Sequence, residues 1–214
     1  MELNVIKSSN WQHDDDIQWY WNLWMEMVAE VYMHTGNLTF LREMQPFVVR
    51  RASQAMDNLQ GSLNGTLDLV FVGDDDRIGF GFEQSSIPEA QSVYRFSAIA
   101  ALQAAAAAYQ KGGDSATAAA LSANATKLWD ISQQHIPKDW YVTLGVHAAA
   151  SALHSGVSMN SQQRQVLVET LSNPAMLPSH SPFSTYFILR GLSAAGLGKE
   201  ALDLVRREWF LLPN

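Results

Sequence analysis

Asp74, Asp75 and Asp76 stand in an unbroken row and Arg77 follows at once, inside the stretch LDLVFVGDDDRIGFGFEQSSIPEAQ that runs from Leu67 to Gln91. Clustered carboxylates beside a guanidinium, with glycines on both sides, make a loop that can present acceptors and donors to a polar ligand. The same residues also suit a solvated turn that caps the segment after it. Glu83 and Glu89 lie in the same stretch and are the further acids placed to give or take a proton there. On these residues alone both readings stay open.

Aromatic side chains come next. Trp19, Tyr20 and Trp21 are consecutive, and helical neighbours point about 100° apart, so the three cannot all enter one core. At least one must face a rim, where an aromatic face suits the apolar face of a sugar ring. Trp21 and, further on, Trp140 are the candidates, with core packing as the plainer alternative for each. His180, in the PSHSP segment, is a candidate polar contact, whereas His147 sits in an Ala-rich run and reads as a packed histidine.

Other chemistries are argued against by the pattern. No HExxH, P-loop or GxSxG segment occurs, and the histidines lack metal-ligand spacing, so no metal and no cofactor is expected. An Asp-rich magnesium motif of the DDxxD type also fails: four residues beyond Asp74 and Asp75 stand Ile78 and Gly79, and beyond Asp14 and Asp15 stand Gln18 and Trp19. A net charge of −7, with paired basic residues only at Arg50-Arg51 and Arg206-Arg207, supplies no surface for a phosphate backbone, so nucleic acid is not a partner. No apolar run reaches the roughly 18 to 20 residues that span a bilayer, and the opening MELNVIKSSNW has no signal-peptide core. Cysteine is absent, which removes disulfides and thiolate ligands. Sequons at Asn37, Asn64 and Asn124 would be usable in a secreted protein, and the compartment stays open.

The elements that must position these groups are helical. Apolar residues recur at helical spacing from about Asp16 to Met33 (Ile17, Tyr20, Trp21, Trp24, Val28, Val31), and a second helix is expected over about Thr39 to Leu59, kinked or delayed by Pro46. Further helices are expected at Glu89–Lys111, Ser115–Gln134 (burying Leu121, Ala125, Leu128 and Ser132), Trp140–Leu153, Ser161–Leu171, Pro182–Ala195 and Lys199–Trp209. Turns at Gly36, Gly113, Gly156 and Gly196 pair them into four hairpins. The first helix of the later hairpins is Ala-rich and nearly uncharged and the second has a charged face, which predicts an inner and an outer ring. The only strand-like run is the short LDLVFV. The longer connections then gather at the N-termini of the inner helices, which carry Trp19, Tyr20 and Trp21, then Tyr94 and Phe96, then Trp140 and Tyr141, then Phe183, Tyr186 and Phe187.

The run DDDIQWYWNLWMEMVAEVYMHTGNLTFLREMQPFV resembles the pattern of an aspartate-tryptophan helix, a tyrosine-TG turn and an FL-to-proline helix in α-L-rhamnosidase-type six-hairpin glycosidases. Later, SPFSTYFILRGLSAAGLGKEALDLVRREW is similar to a further hairpin of that family. The resemblance implies an all-α fold, with helical hairpins arranged as part of an (α/α)6 toroid. It implies a carbohydrate substrate, with hydrolysis of terminal α-L-rhamnosyl or related sugars with inversion by two carboxylic acids. The family's Asp-Glu-Arg motif before the first hairpin and its Trp-Glu motif after the last are not found in this sequence. Residues 1–214 are therefore expected to form one domain with four of the six hairpins. Their share of a site would be sugar binding by Asp74, Asp75, Asp76, Arg77, Trp21, Trp140 and His180, with Glu83 and Glu89 as the candidate acids. Apolar flanks left open by missing hairpins would promote self-association; the oligomeric state itself is not fixed by the sequence. The rival reading is a non-catalytic helical-hairpin scaffold that binds a protein or peptide.

Overall fold

The computed structural model describes residues 18–60, 88–173 and 182–209. The expectations for Asp74, Asp75, Asp76, Arg77, Glu83, His180 and the LDLVFV run lie outside the described residues. Among those described, nine α-helices follow one another: α1 (Gln18–Thr35), α2 (Leu38–Gln60), α3 (Pro88–Lys111), α4 (Ser115–His135), α5 (Trp140–Thr143), α6 (Val146–Ser155), α7 (Ser161–Ser172), α8 (Pro182–Ala195) and α9 (Gly198–Trp209). The protein is all-α, and its helical hairpins are arranged as in part of an (α/α)6 toroid.

Each hairpin turns on a glycine in the left-handed region, with φ of 65° at Gly36, 84° at Gly113, 67° at Gly156 and 80° at Gly196. A residue without Cβ adopts this conformation cheaply and ends a helix cleanly. The helix after the turn is then capped by its own sequence. Asn37 Oδ1 accepts from Phe40 N at 3.0 Å at the start of α2, and Asp114 Oδ1 accepts from Thr117 N at 3.0 Å at the start of α4. Asn160 and Gln163 form a reciprocal capping box on α7.

Helices α1, α3, α6 and α8 pack against one another in that order, and α2, α4, α7 and α9 lie outside them. Ala148, Ala149 and Ala150 of α6 are fully buried, whereas Arg50 of α2 and Arg164 of α7 are exposed, which is the expected separation of inner and outer helices. In α3 the alanine run is less uniform. Ala105 and Ala106 are buried, but Ala107 lies between Gln103 and Gln110 on a line that faces solvent. Helix α4 buries Leu121, Ala125, Leu128 and Ser132, the stripe its periodicity gives. Helices α6 and α8 approach so closely that a Cβ built on Gly191 would stand 2.5 Å from Cα and Cβ of Ala150.

Two sequence expectations are corrected here. The start of helix α2 is not delayed by Pro46: the helix begins at Leu38 and continues past this exposed proline, and the carbonyl that loses its partner is that of Arg42, also exposed, where water can replace the lost bond. The helix expected over Trp140–Leu153 is two helices. Leu144 and Gly145 between them are extended, with ψ of 136° and 178°.

Candidate functional site

The inner helices run in the same direction: along α1 and α8 Trp19 meets Phe187 and then Glu26 meets Arg190, and along α3 and α6 Glu89 meets Ala148 and then Gln103 lies near Gly156. Their side chains therefore meet in layers. Near the N-termini Trp19 of α1 faces Phe187 of α8, with ring centroids 5.0 Å apart. Below them the amide of Asn22 donates to Ser97 Oγ of α3 at 3.0 Å. One turn deeper, the fully enclosed Glu26 of α1 is bound by Arg190 of α8. Arg190 also reaches Glu30 at 3.3 Å, and His154 of α6 stands 3.8 Å from Glu26. A cavity of about 20 Å³ lies among Trp19, Leu23, Glu26, Ser97, His154 and Arg190, which is room for one water.

Most of the aromatic residues carried by the N-termini of the inner helices are core rather than rim: Trp19, Tyr94, Phe96 and Trp140 are buried. Trp140 is only 5% exposed. Its ring packs against Phe96 at 5.2 Å, against Trp129 edge-on at 6.0 Å and against Tyr141 edge-on at 6.0 Å. Such a cluster is a core wedge between α3, α4 and α5. Trp21 is half-buried, and the guanidinium of Arg51 lies 4.7 Å from its ring centroid, a cation–π contact that covers one face. Trp140 and Trp21 thus belong to separate clusters. Tyr186, by contrast, is 46% exposed, and Arg190 lies over it at 5.5 Å.

Glu89, in the first turn of α3, is committed to the backbone of the next inner helix. One carboxylate oxygen accepts from Gly145 N and the other from Ala148 N at 2.9 Å. It thereby caps α6 from outside its own chain segment, satisfying donors that a helix start leaves free. Gly145 is required for this approach, because a Cβ there would stand 2.7 Å from both oxygens of Glu89. A proton on either oxygen would break one of these bonds. His147, in the first turn of α6, is buried, as its surroundings in the sequence suggest.

Burial also sets the acid–base character of this region. It pushes the Tyr94 phenol up to about 12, against the hydrogen bond from Asn58 and the charge of Arg95, which act the other way. Burial likewise lowers the Arg95 guanidinium. Among the described residues no group of three or more His, Cys, Asp or Glu side chains could hold a metal ion, and no helix is long and apolar enough to cross a membrane.

The axial cluster of Glu26, His154 and Arg190 was not singled out from sequence, yet a signal existed. Glu26 and Glu30 share one face of an otherwise apolar helix, and Arg190 is the lone charge of α8. Charges in such settings are retained when they find one another.

No family model and no curated protein matches the chain. Among solved structures, the fold is similar to that of the GH78 family rhamnosidase of Bacillus sp. GL1, with a TM-score of 0.67 and 20% identity over 87% of this chain. The match covers 20% of that chain, so the protein spans about a fifth of its neighbour's length. The likeness defines the class as a helical-hairpin fold of the toroid type.

Proposed function

We propose that this chain is a portion, four hairpins of six, of a rhamnosidase-like glycoside hydrolase domain, and that it contacts terminal α-L-rhamnosyl or related sugars at the N-terminal end of its inner helices. The observation that carries the reading is the likeness in fold to a rhamnosidase over 87% of the chain. Inverting hydrolysis needs one carboxylic acid to protonate the leaving oxygen and a carboxylate to activate water, the two roughly 6.5 to 9.5 Å apart. Glu89 is ill suited to either part because both of its oxygens hold the start of α6. Glu83 remains the candidate acid from sequence, with Asp74, Asp75, Asp76, Arg77 and His180 as candidate sugar contacts.

Titration calorimetry with 4-nitrophenyl α-L-rhamnoside, run beside a release assay for nitrophenol, tests this. Weak binding without turnover is expected. Robust turnover that vanishes in Glu83→Gln would place a complete acid–base pair in this chain, and absence of binding to any sugar would return the Asp74–Arg77 segment to a solvated turn.

A further inference from the structure

A cavity of about 480 Å³ opens at the other end of the inner helices, where the turn of the second hairpin lies against the start of α2. Small-molecule sites are typically about 300–1,000 Å³. Leu38, Leu41, Arg42 and Gln45 line it from one face of α2, at the helical spacing that makes such residues neighbours, and Tyr109 and Asp114 line it from α3 and the turn into α4. The apolar part of this lining is Leu38, Leu41 and the ring of Tyr109, whose hydroxyl is committed to Leu41 O at 3.1 Å.

The polar part carries two opposite charges. Arg42 is exposed, and among the described residues its guanidinium has neither a hydrogen bond nor an ion pair. Asp114 is held in place: Oδ1 accepts from Thr117 N at 3.0 Å and Oδ2 from Gln45 Nε2 at 2.9 Å. The hydrogen bonds from Thr117 hold its carboxyl below the usual carboxylate range, so it is ionised. A carboxylate has about four acceptor positions, and two bonds leave room for a further donor. Arg42 stands one helical turn from Gln45, and Gln45 touches Asp114, so the cation and the anion flank one opening. A simple anion there would meet the charge of Asp114 and a simple cation that of Arg42. We propose that this cavity binds a small zwitterion, a free α-amino acid with an aliphatic side chain, its carboxylate on Arg42, its ammonium on Asp114 and its side chain against Leu38, Leu41 and the Tyr109 ring. The site lies away from the proposed sugar contacts and does not depend on them.

Calorimetric titration of the whole chain tests this with three probes: L-leucine, 4-methylpentanoate, which lacks the ammonium, and 3-methylbutylamine, which lacks the carboxylate. Wild type should bind leucine about tenfold more tightly than either analogue. Arg42→Gln, at an exposed position, should keep the melting temperature and bind leucine about tenfold more weakly, while Arg42→Lys, which keeps the charge, should retain most of the affinity. Asp114→Asn preserves the acceptor that caps α4 and should weaken leucine without weakening 4-methylpentanoate. If that variant melts early, the Arg42 pair alone decides. Leucine bound no better than its analogues, unchanged affinity in Arg42→Gln, or no binding of leucine at concentrations on the order of 10 mM overturns the proposal.

Discussion

Arg190 of α8 and Glu26 of α1 form an ion pair between the first and the last of the inner helices, 164 residues apart in the chain. Glu26 is buried, Arg190 largely so, and His154 and Glu30 complete the cluster. Removing one partner of a buried pair leaves an uncompensated charge, at a cost of about 3–5 kcal/mol, whereas replacing both with apolar groups is often close to neutral. Arg190→Met should therefore lower the urea midpoint strongly. The double variant Glu26→Leu with Arg190→Met should recover most of the loss. A double variant no better than the single one would show that the cluster does more than neutralise Glu26.

Gly191→Ala should destabilise by about 1–3 kcal/mol, since the new methyl would collide with the backbone of Ala150 and force α8 away from α6. The same substitution at Gly198, where a Cβ meets open space, should be close to neutral. Parallel denaturant curves for the two variants make the comparison.

Gly145→Ala should push the Glu89 carboxylate off the start of α6. The amide of Ala148 then loses its acceptor and should exchange faster, at a cost of about 1–3 kcal/mol for an unsatisfied buried donor. Hydrogen exchange followed at Ala148 checks this, with the amide of Ala149, bonded within the helix to Gly145 O, as the internal control.

Alkaline pH should unfold the protein by a route that includes Tyr94. Its phenol is raised from 10 to about 12 by burial. Between these values the unfolded chain has released the proton and the folded chain still holds it, so stability is full below pH 10 and falls as pH rises toward 12. Burial raises Tyr109 and Tyr186 in the same direction. Melting temperatures at pH 9 and pH 11 should differ, and Tyr94→Phe should narrow the difference.

Much of the fold could be read from the chain because its determinants are local. The glycines at 36, 113, 156 and 196 mark all four turns, and the stripe Leu121, Ala125, Leu128 and Ser132 gives the buried face of α4. The break between α5 and α6 was not read from sequence: the weak helix formers Val142, Thr143 and Val146 beside Gly145 hinted at it, but the acid that makes it a boundary comes from Glu89, 56 residues earlier. Trp140 and Tyr141 show the same limit at the site. Adjacent aromatics are equivalent in sequence, and only the way α5 leaves α6 decides which ring is buried. The pairing of Glu26 with Arg190 likewise depends on the ring bringing distant helices together.

The glycine turns have a consequence for how such a chain can change over time. Gly36, Gly113 and Gly196 face open space, and each joins two helices that are already capped on their own residues or packed along their length. Extra residues inserted there would extend into solvent and disturb neither partner, so this end is the natural place to splice in a tag, a reporter or a whole added module. At the other end the start of one helix is tied to a carboxylate from a different hairpin, and a single added residue there would uncouple the two.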